Sequence, residues 1–490
     1  MSPAKKAPTA VKRAGFVSPR GIVEGEMRIA VEGCCHGELD KIYAALAHLE
    51  KVENVKVDLL ICCGDFQAVR DARDLECMSV PDKYKTLGTF HRYFRGERRA
   101  PVPTLFIGGN HEASNYLWEL YYGGFVAPDV YYLGHSGVVR FGNLRVGGLS
   151  GIFKGNDYRR GHYERPPYKR GGEVKSAYHV RQFDVDKLRS VREPIDVFLS
   201  HDWPRGISRY GDQADLIRKK RFLADELRDN SLGSPPAEEL LHALKPRYWF
   251  SAHLHVKFAA MVRHGDGSAT RFLALDKCLP RRDFMQIVDV PDRDPTGGFA
   301  LDREWLSILR CEHGRHSVTR HPAPPRPDPT ALKSRLAEHR AWVDGNVGES
   351  QLAPPGFETQ PAPRGDEDGA GEKTSGAAPN PSARNPQTVR LMEMLELDFK
   401  LDLDPGGGGG GGGNRGGWGD FPPPPPPPPA GGGGVASGGD WTVEGGGVAR
   451  YPIPREGPFK LVPRQARGAP PPPPPPPREV DDNEIDLDSL

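Results

Sequence analysis

Five short apolar runs between residues 27 and 255 are each followed by side chains that can bind a metal ion. In chain order these side chains are Cys34 and His36, Asp65, Asn110 and His111, His201, and His253 and His255. Helical periodicity separates several of the runs, which indicates an α/β domain. Ligands in open α/β sheets bind beyond the carboxyl ends of the strands, so the five positions are predicted to converge.

Each position also has an ordinary explanation. Residues 64–65 could form a turn, and Asn110 could cap a helix. A lone His201 is more often a buried structural residue, and His253 and His255 would point the same way from a single strand. Five such coincidences at strand ends are harder to explain separately. The set is therefore interpreted as a metal centre.

The types of donor atom fit a centre of one or two divalent ions. Two ions about 3.5–4 Å apart need a shared carboxylate that bridges them and offsets their repulsion, and Asp65 is the natural candidate. The amide oxygen and the imidazole nitrogens of the other positions suit borderline ions such as Zn²⁺, Fe²⁺ or Mn²⁺.

Composition divides the 490 residues into unequal parts. Residues near the two ends are basic or dominated by Gly and Pro, and such segments cannot bury a core. The expected parts are a disordered basic extension (1–26), a catalytic domain (27–255), a C-terminal part of the same fold (256–320) and a disordered Gly- and Pro-rich tail (321–490).

Charge and cysteine usage exclude some classes of protein. The formal net charge is +1, so no overall field commits the chain to nucleic acid or membrane. The seven Cys residues occur partly as neighbours, which suits buried thiols in a reducing, intracellular compartment better than a disulfide framework. No apolar run approaches a transmembrane span or a signal peptide, so no membrane partner is expected.

The motifs resemble the calcineurin-like metallophosphoesterase superfamily and, within it, the RNA lariat debranching enzymes. The resemblance covers about residues 27–310 and is carried by residues 34–41, 63–70, 109–115, 199–204, 249–255 and 273–280. The chain departs from the superfamily at Cys34, where an Asp is usual, and at Ala252, where a Gly is usual. The debranching enzymes share the first departure, which leaves the occupancy and identity of the second ion open.

The resemblance implies a sandwich of two mixed β-sheets flanked by helices. It also implies hydrolysis of the 2′–5′ phosphodiester bond at the branch point of excised intron lariats. One ion would be held by Asp65, Asn110, His201 and His253, and the other by Cys34, His36, Asp65 and His255. His111 would protonate the leaving oxygen as a general acid. A structural role for His111 beside the ligands is the alternative.

The stretch 153–182 mixes cationic and aromatic side chains with little periodicity. RNA recognition needs cations for phosphates and flat side chains for unstacked bases, so this stretch is predicted to be an insertion that contacts branched RNA. A solvated insertion is the alternative. The candidate RNA contacts are Lys154, Tyr158, Arg159, Arg160, Arg181 and, outside the stretch, Trp203.

Two rival functions stay open. One is a metallophosphoesterase of other substrate range, such as a nuclease or phosphatase, and the other is a non-catalytic RNA-binding scaffold. The protein is expected to be a monomer that acts in the nucleus, with the cytoplasm as a second compartment. Proline runs in the tail could dock adaptor proteins, and residues 388–403 could form a helix that folds onto a partner.

Overall fold

The computed structural model describes residues 26–166, 168, 171–291, 293–358 and 384–400. The expectations for residues 1–25, 359–383 and 401–490 lie outside this part of the chain. The strands are β1 (Glu26–Glu32), β2 (Leu59–Cys62), β3 (Thr104–Phe106), β4 (Gly124–Ala127), β5 (Val130–Tyr132), β6 (Ser136–Phe141), β7 (Leu144–Leu149), β8 (Val197–Ser200), β9 (Tyr248–Ser251), β10 (Phe258–Arg263), β11 (Ala269–Ala274), β12 (Met285–Pro291) and β13 (Phe299–Leu301).

The helices include short and long elements. They are α1 (Leu39–Glu53), α2 (Ala72–Leu75), α3 (Phe90–Phe94), α4 (Ser114–Glu119), α5 (Gly155–Tyr158), α6 (Gly171–Ser176), α7 (Gln182–Arg189), α8 (Gln213–Lys219), α9 (Ala224–Asp229), α10 (Pro235–Leu244), α11 (Arg303–Glu312), α12 (Pro329–Asn346) and α13 (Pro386–Met394). Single 3₁₀ turns occur at Asp82–Tyr84, Ile207–Tyr210, Arg221–Leu223, His313–Arg315 and Glu349–Leu352. Within the described residues, no helix combines the length and apolar character needed to cross a bilayer.

The strands form two mixed sheets, as expected. The first has the order β12-β1-β2-β3-β5-β4, and the second has the order β10-β11-β9-β8-β7-β6-β13. Parallel pairing joins β1, β2, β3 and β5 in the first sheet and β7, β8, β9 and β11 in the second. The pairs at the sheet edges are antiparallel.

Apolar side chains from both sheets meet in one buried cluster. Ile29 and Ile61 of the first sheet belong to this cluster, and so do Val146 and Phe250 of the second. The parallel strands β2, β8 and β9 are buried at every position, as their uninterrupted apolar runs predict. Helices cover the outer faces of the sheets in two further apolar clusters. The sandwich thus brings the carboxyl ends of β1, β2, β3, β8 and β9 to one edge.

Two predicted elements differ from the structure. The sequence predicts a helix over residues 82–95, but this segment forms a 3₁₀ turn followed by the short helix α3. The short apolar runs 130–133, 138–141 and 144–148, separated by Gly, predict an antiparallel second sheet. The last two runs lie in β6 and β7, which pair antiparallel in that sheet, but β5 pairs parallel with β3 in the first sheet.

The predicted boundary at residue 320 is wrong, because α12 continues the fold. The Asp328 side chain caps this helix by accepting from the backbone N–H groups of Thr330 and Ala331. Arg310 of α11 lies over the Trp342 ring at 3.8 Å from its centroid. Leu332 and Val343 are the buried residues of α12. Leu336, Trp342 and Val343 also pack into an apolar cluster of the fold, so apolar and cation–π contacts together hold this helix.

A second C-terminal segment packs on the same chain. Residues 384–400, here called the clasp, contain α13 and bury Leu391, Met392 and Leu395. Tyr121 donates a hydrogen bond to the sulfur of Met392. Of the segment 388–403, in which a helix is predicted, residues 388–394 are helical and lie against the same chain, while residues 401–403 lie outside the described residues.

Candidate metal centre

One group of predicted ligands converges at the end of β1 and β2. Its members are Cys34, His36, Asp65 and His255, and each offers a donor atom within 4.8 Å of the others. The Nε2 atoms of His36 and His255 approach to 3.3 Å, and His36 Nε2 lies 3.7 Å from Asp65 Oδ2. Two imidazole nitrogens at this distance are stable when a proton or a cation lies between them. The group therefore fits a metal ion.

The other carboxylate oxygen of Asp65 faces a second group. His201 Nε2 lies 3.3 Å from Asp65 Oδ1 and 3.1 Å from Asn110 Oδ1. The His253 ring is next to His201, with 5.0 Å between the ring centroids. The structure thus brings together all seven predicted ligands. It also places Asp65 between the two groups, as a bridging carboxylate requires.

The backbone at this edge adopts an uncommon conformation. His36, Asp65, His253 and His255 have φ angles of 47°, 47°, 65° and 47°. L-residues with side chains adopt this left-handed region rarely and at a cost. The four turns let side chains from separate strand ends point inward at one place.

Two glycines make room for the ligands. A Cβ atom on Gly64 would lie 2.3 Å from His201 Nδ1, and one on Gly109 would lie 2.2 Å from Asp65 Oδ1. Both distances are shorter than real contacts, so a larger residue at either position would displace a ligand. The motifs Gly64-Asp65 and Gly109-Asn110 owe their glycines to this close packing.

Buried partners outside the predicted set hold the ligands in place. Glu112 accepts hydrogen bonds from the backbone N–H groups of Phe66, Gln67 and Gly109 at 2.7–3.0 Å. His201 Nδ1 donates to Cys63 O at 2.8 Å, which directs Nε2 toward the centre. The sequence interpretation gave Glu112 no role. Its position directly after His111, in the Asn110–Glu112 motif, was the available signal.

Electrostatics keep the donors ready for a cation. Burial lowers the pKa of His36 to about 4 and that of His253 to about 3, so both rings are neutral near pH 7. Burial pushes the pKa of Asp65 upward, but the imidazoles of His201 and His111 outweigh it and hold that pKa well below its usual value. The neutral rings of His36 and His253 and the ionised carboxylate of Asp65 are donors that a borderline divalent ion prefers.

Cys34 satisfies the geometry of a ligand. Its buried sulfur accepts a hydrogen bond from the backbone N–H of His253 at 3.3 Å. Burial, with a further contribution from the charge of Asp65, raises the pKa of the thiol well above its usual value. A thiolate at this position therefore requires a cation beside it.

His111 lies beside the centre. Its backbone N–H donates to Asp65 Oδ1 at 2.9 Å, and its ring centroid is 5.6 Å from that of His36. Its Nε2 atom is 3.2 Å from Asn110 Nδ2. The side chain is thus adjacent to both donor groups, where a proton donor would have to be.

Two of the predicted RNA contacts are buried structural residues. The Arg181 guanidinium is fully buried and pairs with Glu164 at 2.6 Å. The Trp203 side chain is also buried, and its Nε1 donates to Ala252 O at 2.8 Å. These two predictions are wrong, because both side chains are buried. For Arg181, the sequence alone does not distinguish a cation that binds phosphate from one with a buried acidic partner.

The other candidates in the stretch 153–182 reach the surface. Arg159 is exposed, and Lys154, Tyr158 and Arg160 are partly exposed. Arg160 also pairs with Asp157 at 2.7 Å. These four side chains remain predicted RNA contacts.

Known proteins share both halves of this fold. Residues 27–257 match the family model described as calcineurin-like phosphoesterase, and residues 267–400 match the one described as lariat debranching enzyme, C-terminal domain. The second match extends past residue 320 to the end of the clasp.

The curated relatives carry the same description. The lariat debranching enzyme of Arabidopsis thaliana is 49% identical over 381 residues, which cover 77% of this chain and 88% of that protein. Lariat debranching enzyme A of Xenopus laevis and the Homo sapiens enzyme are each 58% identical over 60% of this chain, and the match covers 56% and 55% of their own lengths. This chain thus belongs to the lariat debranching enzyme family, within the calcineurin-like phosphoesterases.

Proposed function

We propose that this chain hydrolyses the 2′–5′ phosphodiester bond at the branch point of excised intron lariat RNA. The observation that carries the proposal is the position of Asp65 between two groups of donor atoms, in a chain of this family. A carboxylate shared in this way supports metal-assisted hydrolysis of a phosphate ester.

The two donor groups assign the ligands. Cys34, His36, Asp65 and His255 would hold one divalent ion, and Asp65, Asn110, His201 and His253 would hold the other. When bound, such ions supply Lewis-acid chemistry, which stabilises charge on the phosphoryl oxygens and acidifies water near neutral pH. The protein's own contribution is to fix the donors through Glu112 and the backbone turns.

His111 is the proposed proton donor to the leaving 2′-oxygen. Burial, opposed by the charge of Asp65, lowers the pKa of His111 in the free protein. A bound phosphodiester adds negative charge near the ring and raises that pKa again. The imidazole would then be protonated when substrate is present, which is when a general acid is needed. Hydrolysis would leave a 2′-hydroxyl and a 5′-phosphate.

We infer that the native ion is Fe²⁺, Zn²⁺ or Mn²⁺. A cysteine sulfur is a softer donor than the usual aspartate oxygen and selects against Mg²⁺. The raised pKa of the Cys34 thiol means that its deprotonation costs part of the binding free energy of the ion. Occupancy by one or two ions therefore depends on the pocket with Cys34.

Recognition of the branched RNA is assigned to Lys154, Tyr158, Arg159 and Arg160. Their exposure supports contacts with phosphates and unstacked bases. Neutralising Arg159 and Arg160 together is expected to weaken binding of branched RNA and to flatten its salt dependence. Binding titrations at several salt concentrations measure both quantities. If affinity and salt slope stay unchanged, these residues are not the RNA contacts.

A synthetic branched oligonucleotide tests the function directly. The full chain, loaded separately with Fe²⁺, Zn²⁺ or Mn²⁺, is expected to release the 2′-linked arm and to leave linear RNA intact. Equal or faster cleavage of linear RNA, or of a phosphoprotein, would favour a nuclease or a phosphatase. Metal binding without turnover of any substrate would favour a scaffold.

We propose the nucleus as the main place of action, because lariats arise there during splicing. A monomer suffices for this chemistry, since one chain supplies every assigned ligand. Adaptor binding by the proline runs, at residues outside the described structure, stays a prediction. Imaging of the tagged chain, with and without those runs, tests both localisation and recruitment.

A further inference from the structure

The clasp contacts the body of the enzyme at two distinct places. The Gln387 amide pairs with both backbone groups of Phe125, accepting from N–H at 2.7 Å and donating to the carbonyl at 2.8 Å. Phe125 lies on β4, the edge strand of the first sheet. The next residue, Thr388, points elsewhere and donates its hydroxyl proton to Glu119 O at 2.7 Å. Thr388 is 1% exposed, so this hydrogen bond is shielded from water.

Glu119, at the end of α4, belongs to a buried network of charges. Its carboxylate accepts from Arg70 Nη1 at 2.9 Å. The same guanidinium donates to both oxygens of Asp74 at 2.9 Å and 3.0 Å, and it lies over the Tyr116 ring at 4.0 Å. Asn115 also donates to Asp74, at 2.6 Å. Asp74, Asn115 and Glu119 are all buried, so the network has few alternative partners.

Arg70 and Asp74 close the loop that begins at Asp65. Within this loop the backbone N–H groups of Phe66 and Gln67 bind Glu112. Gln67 has a φ of 61° and its amide lies 3.4 Å from Nδ1 of the ligand His36. The backbone of Arg70 is fixed too, since its N–H donates to Asp74 at 2.9 Å. An unbroken series of contacts thus runs from Thr388 to the metal-centre loop.

We propose that the clasp positions the loop 66–75 through the Glu119–Arg70–Asp74 network, and that Thr388 is a positioning residue for hydrolysis. The clasp contacts described above are with residues outside the metal centre, so any effect on the centre is transmitted. The catalytic part of the proposal rests on the proposed function, but the structural part does not. A docked clasp holds the loop 66–75 in the position that the metal donors need, and a loosened clasp lets this loop fluctuate.

Covering a sheet edge is the competing role for the clasp. Gln387 satisfies the open edge of β4, and that contact alone would make the clasp a stabilising cover. The two roles make different demands on Thr388. An edge cover needs only that the clasp stay bound, whereas positioning needs the hydrogen bond to Glu119 itself.

Substitution of Thr388 in the full chain separates these roles. Thr388→Val keeps the shape and removes the hydroxyl, and Thr388→Ser restores the hydroxyl. Glu119→Gln weakens the ion pair with Arg70 and the side-chain hydrogen bond with Asn385 of the clasp, but it keeps the backbone carbonyl that Thr388 binds. It serves as the second variant if Thr388→Val folds poorly. The matched control is Glu396→Gln, which removes a pairing with Arg310 of 3.0 Å in the part of the clasp beyond α13, away from Glu119.

Hydrogen exchange of the backbone amides in residues 66–75 is the main measurement. Thr388→Val and Glu119→Gln are expected to speed this exchange by about threefold or more, and Thr388→Ser and Glu396→Gln to leave it unchanged. With branched RNA, kcat of Thr388→Val and Glu119→Gln is expected to fall by about 2- to 30-fold, with KM and metal content retained.

Unchanged exchange and kcat in Thr388→Val, with faster exchange only in residues 384–400, would overturn the proposal. Absence of debranching by the unaltered chain would overturn the proposed function, while the exchange data would still decide the role of the clasp.

Discussion

Two buried groups of histidines lie in this fold, and they are built differently. At the metal centre the rings are tilted or edge-on to one another, and their nitrogens converge around Asp65. In a second group, here called the inner histidine cluster, the rings of His135, His162, His313 and His316 pack on aromatic faces. His135 stacks on His162 at 4.3 Å and His316 stacks on Phe183 at 4.9 Å. Burial lowers the pKa of histidines in both groups, so a low pKa does not distinguish them.

The partners of the central carboxylate make the difference. In the inner histidine cluster Asp184 binds His162 at 2.7 Å and the ammonium of Lys187 at 3.1 Å. The rings of Phe183 and Tyr122 flank that ammonium. At the metal centre the ion pairs of Asp65 are with His36 and His201. One cluster carries its own cation, and the other is arranged to receive one. Four predictions test this contrast.

Loss of the bridging carboxylate should have the largest effect. Asp65→Asn is expected to abolish stoichiometric metal binding and to lower turnover of branched RNA by about 10⁴-fold, because both donor groups lose their shared charge. Metal analysis and single-turnover kinetics measure these changes. The matched variant Asp184→Asn should keep its metal. Full metal content in Asp65→Asn would remove the difference between the two clusters.

The next effect concerns the proton donor. His111→Ala is expected to retain bound metal and to lose about 10³-fold in turnover, since general acid catalysis contributes on this scale. His135→Ala, which removes a buried histidine from the other cluster, should leave kcat close to that of the unaltered chain. Unchanged turnover in His111→Ala would assign that residue a structural role.

The free energy of unfolding should depend more on the inner histidine cluster than on the metal centre. Asp184→Asn leaves the buried Lys187 without its carboxylate partner, at a cost of about 3 kcal/mol in the free energy of unfolding. Denaturant titration of metal-free protein provides the measurement. Asp65→Asn in the same metal-free state should cost less, because the imidazoles beside residue 65 can lose a proton near neutral pH and need not stay charged. If both variants lose the same free energy of unfolding, the inner histidine cluster stabilises the fold no more than the metal centre does.

The smallest predicted effect belongs to Cys34. Cys34→Ser is expected to weaken ion binding in the pocket of His36 and His255 by about tenfold or more, because a serine hydroxyl is a poorer donor. Competition with a chelator measures the affinity, and Cys311→Ser serves as the control for a buried thiol elsewhere. Equal affinities in both variants would make Cys34 a packing residue.

Local patterns predicted much of the site and less of its surroundings. The seven predicted ligands and His111 follow buried strands, so chain order was enough to predict that they converge. Arg181 was misassigned because its partner Glu164 lies in the same irregular stretch, where no periodicity indicates which side chains face inward. Helix α12 was missed because the Gly- and Pro-rich composition of residues 321–490 obscured the helical spacing of Leu332, Leu336 and Val343. The inner histidine cluster joins residues from 135 to 316, and nothing local marks them as neighbours.

The left-handed backbone at four predicted ligand positions has a consequence for the stability of the fold. Each of these residues forfeits on the order of 1 kcal/mol that a glycine in the same conformation would recover. Glycine at residues 36, 65, 253 and 255 would therefore raise the stability of the fold, but it would also remove four donor side chains and with them the activity. His and Asp at these positions in this chain therefore give up part of the stability of the fold in exchange for donor atoms at the metal centre.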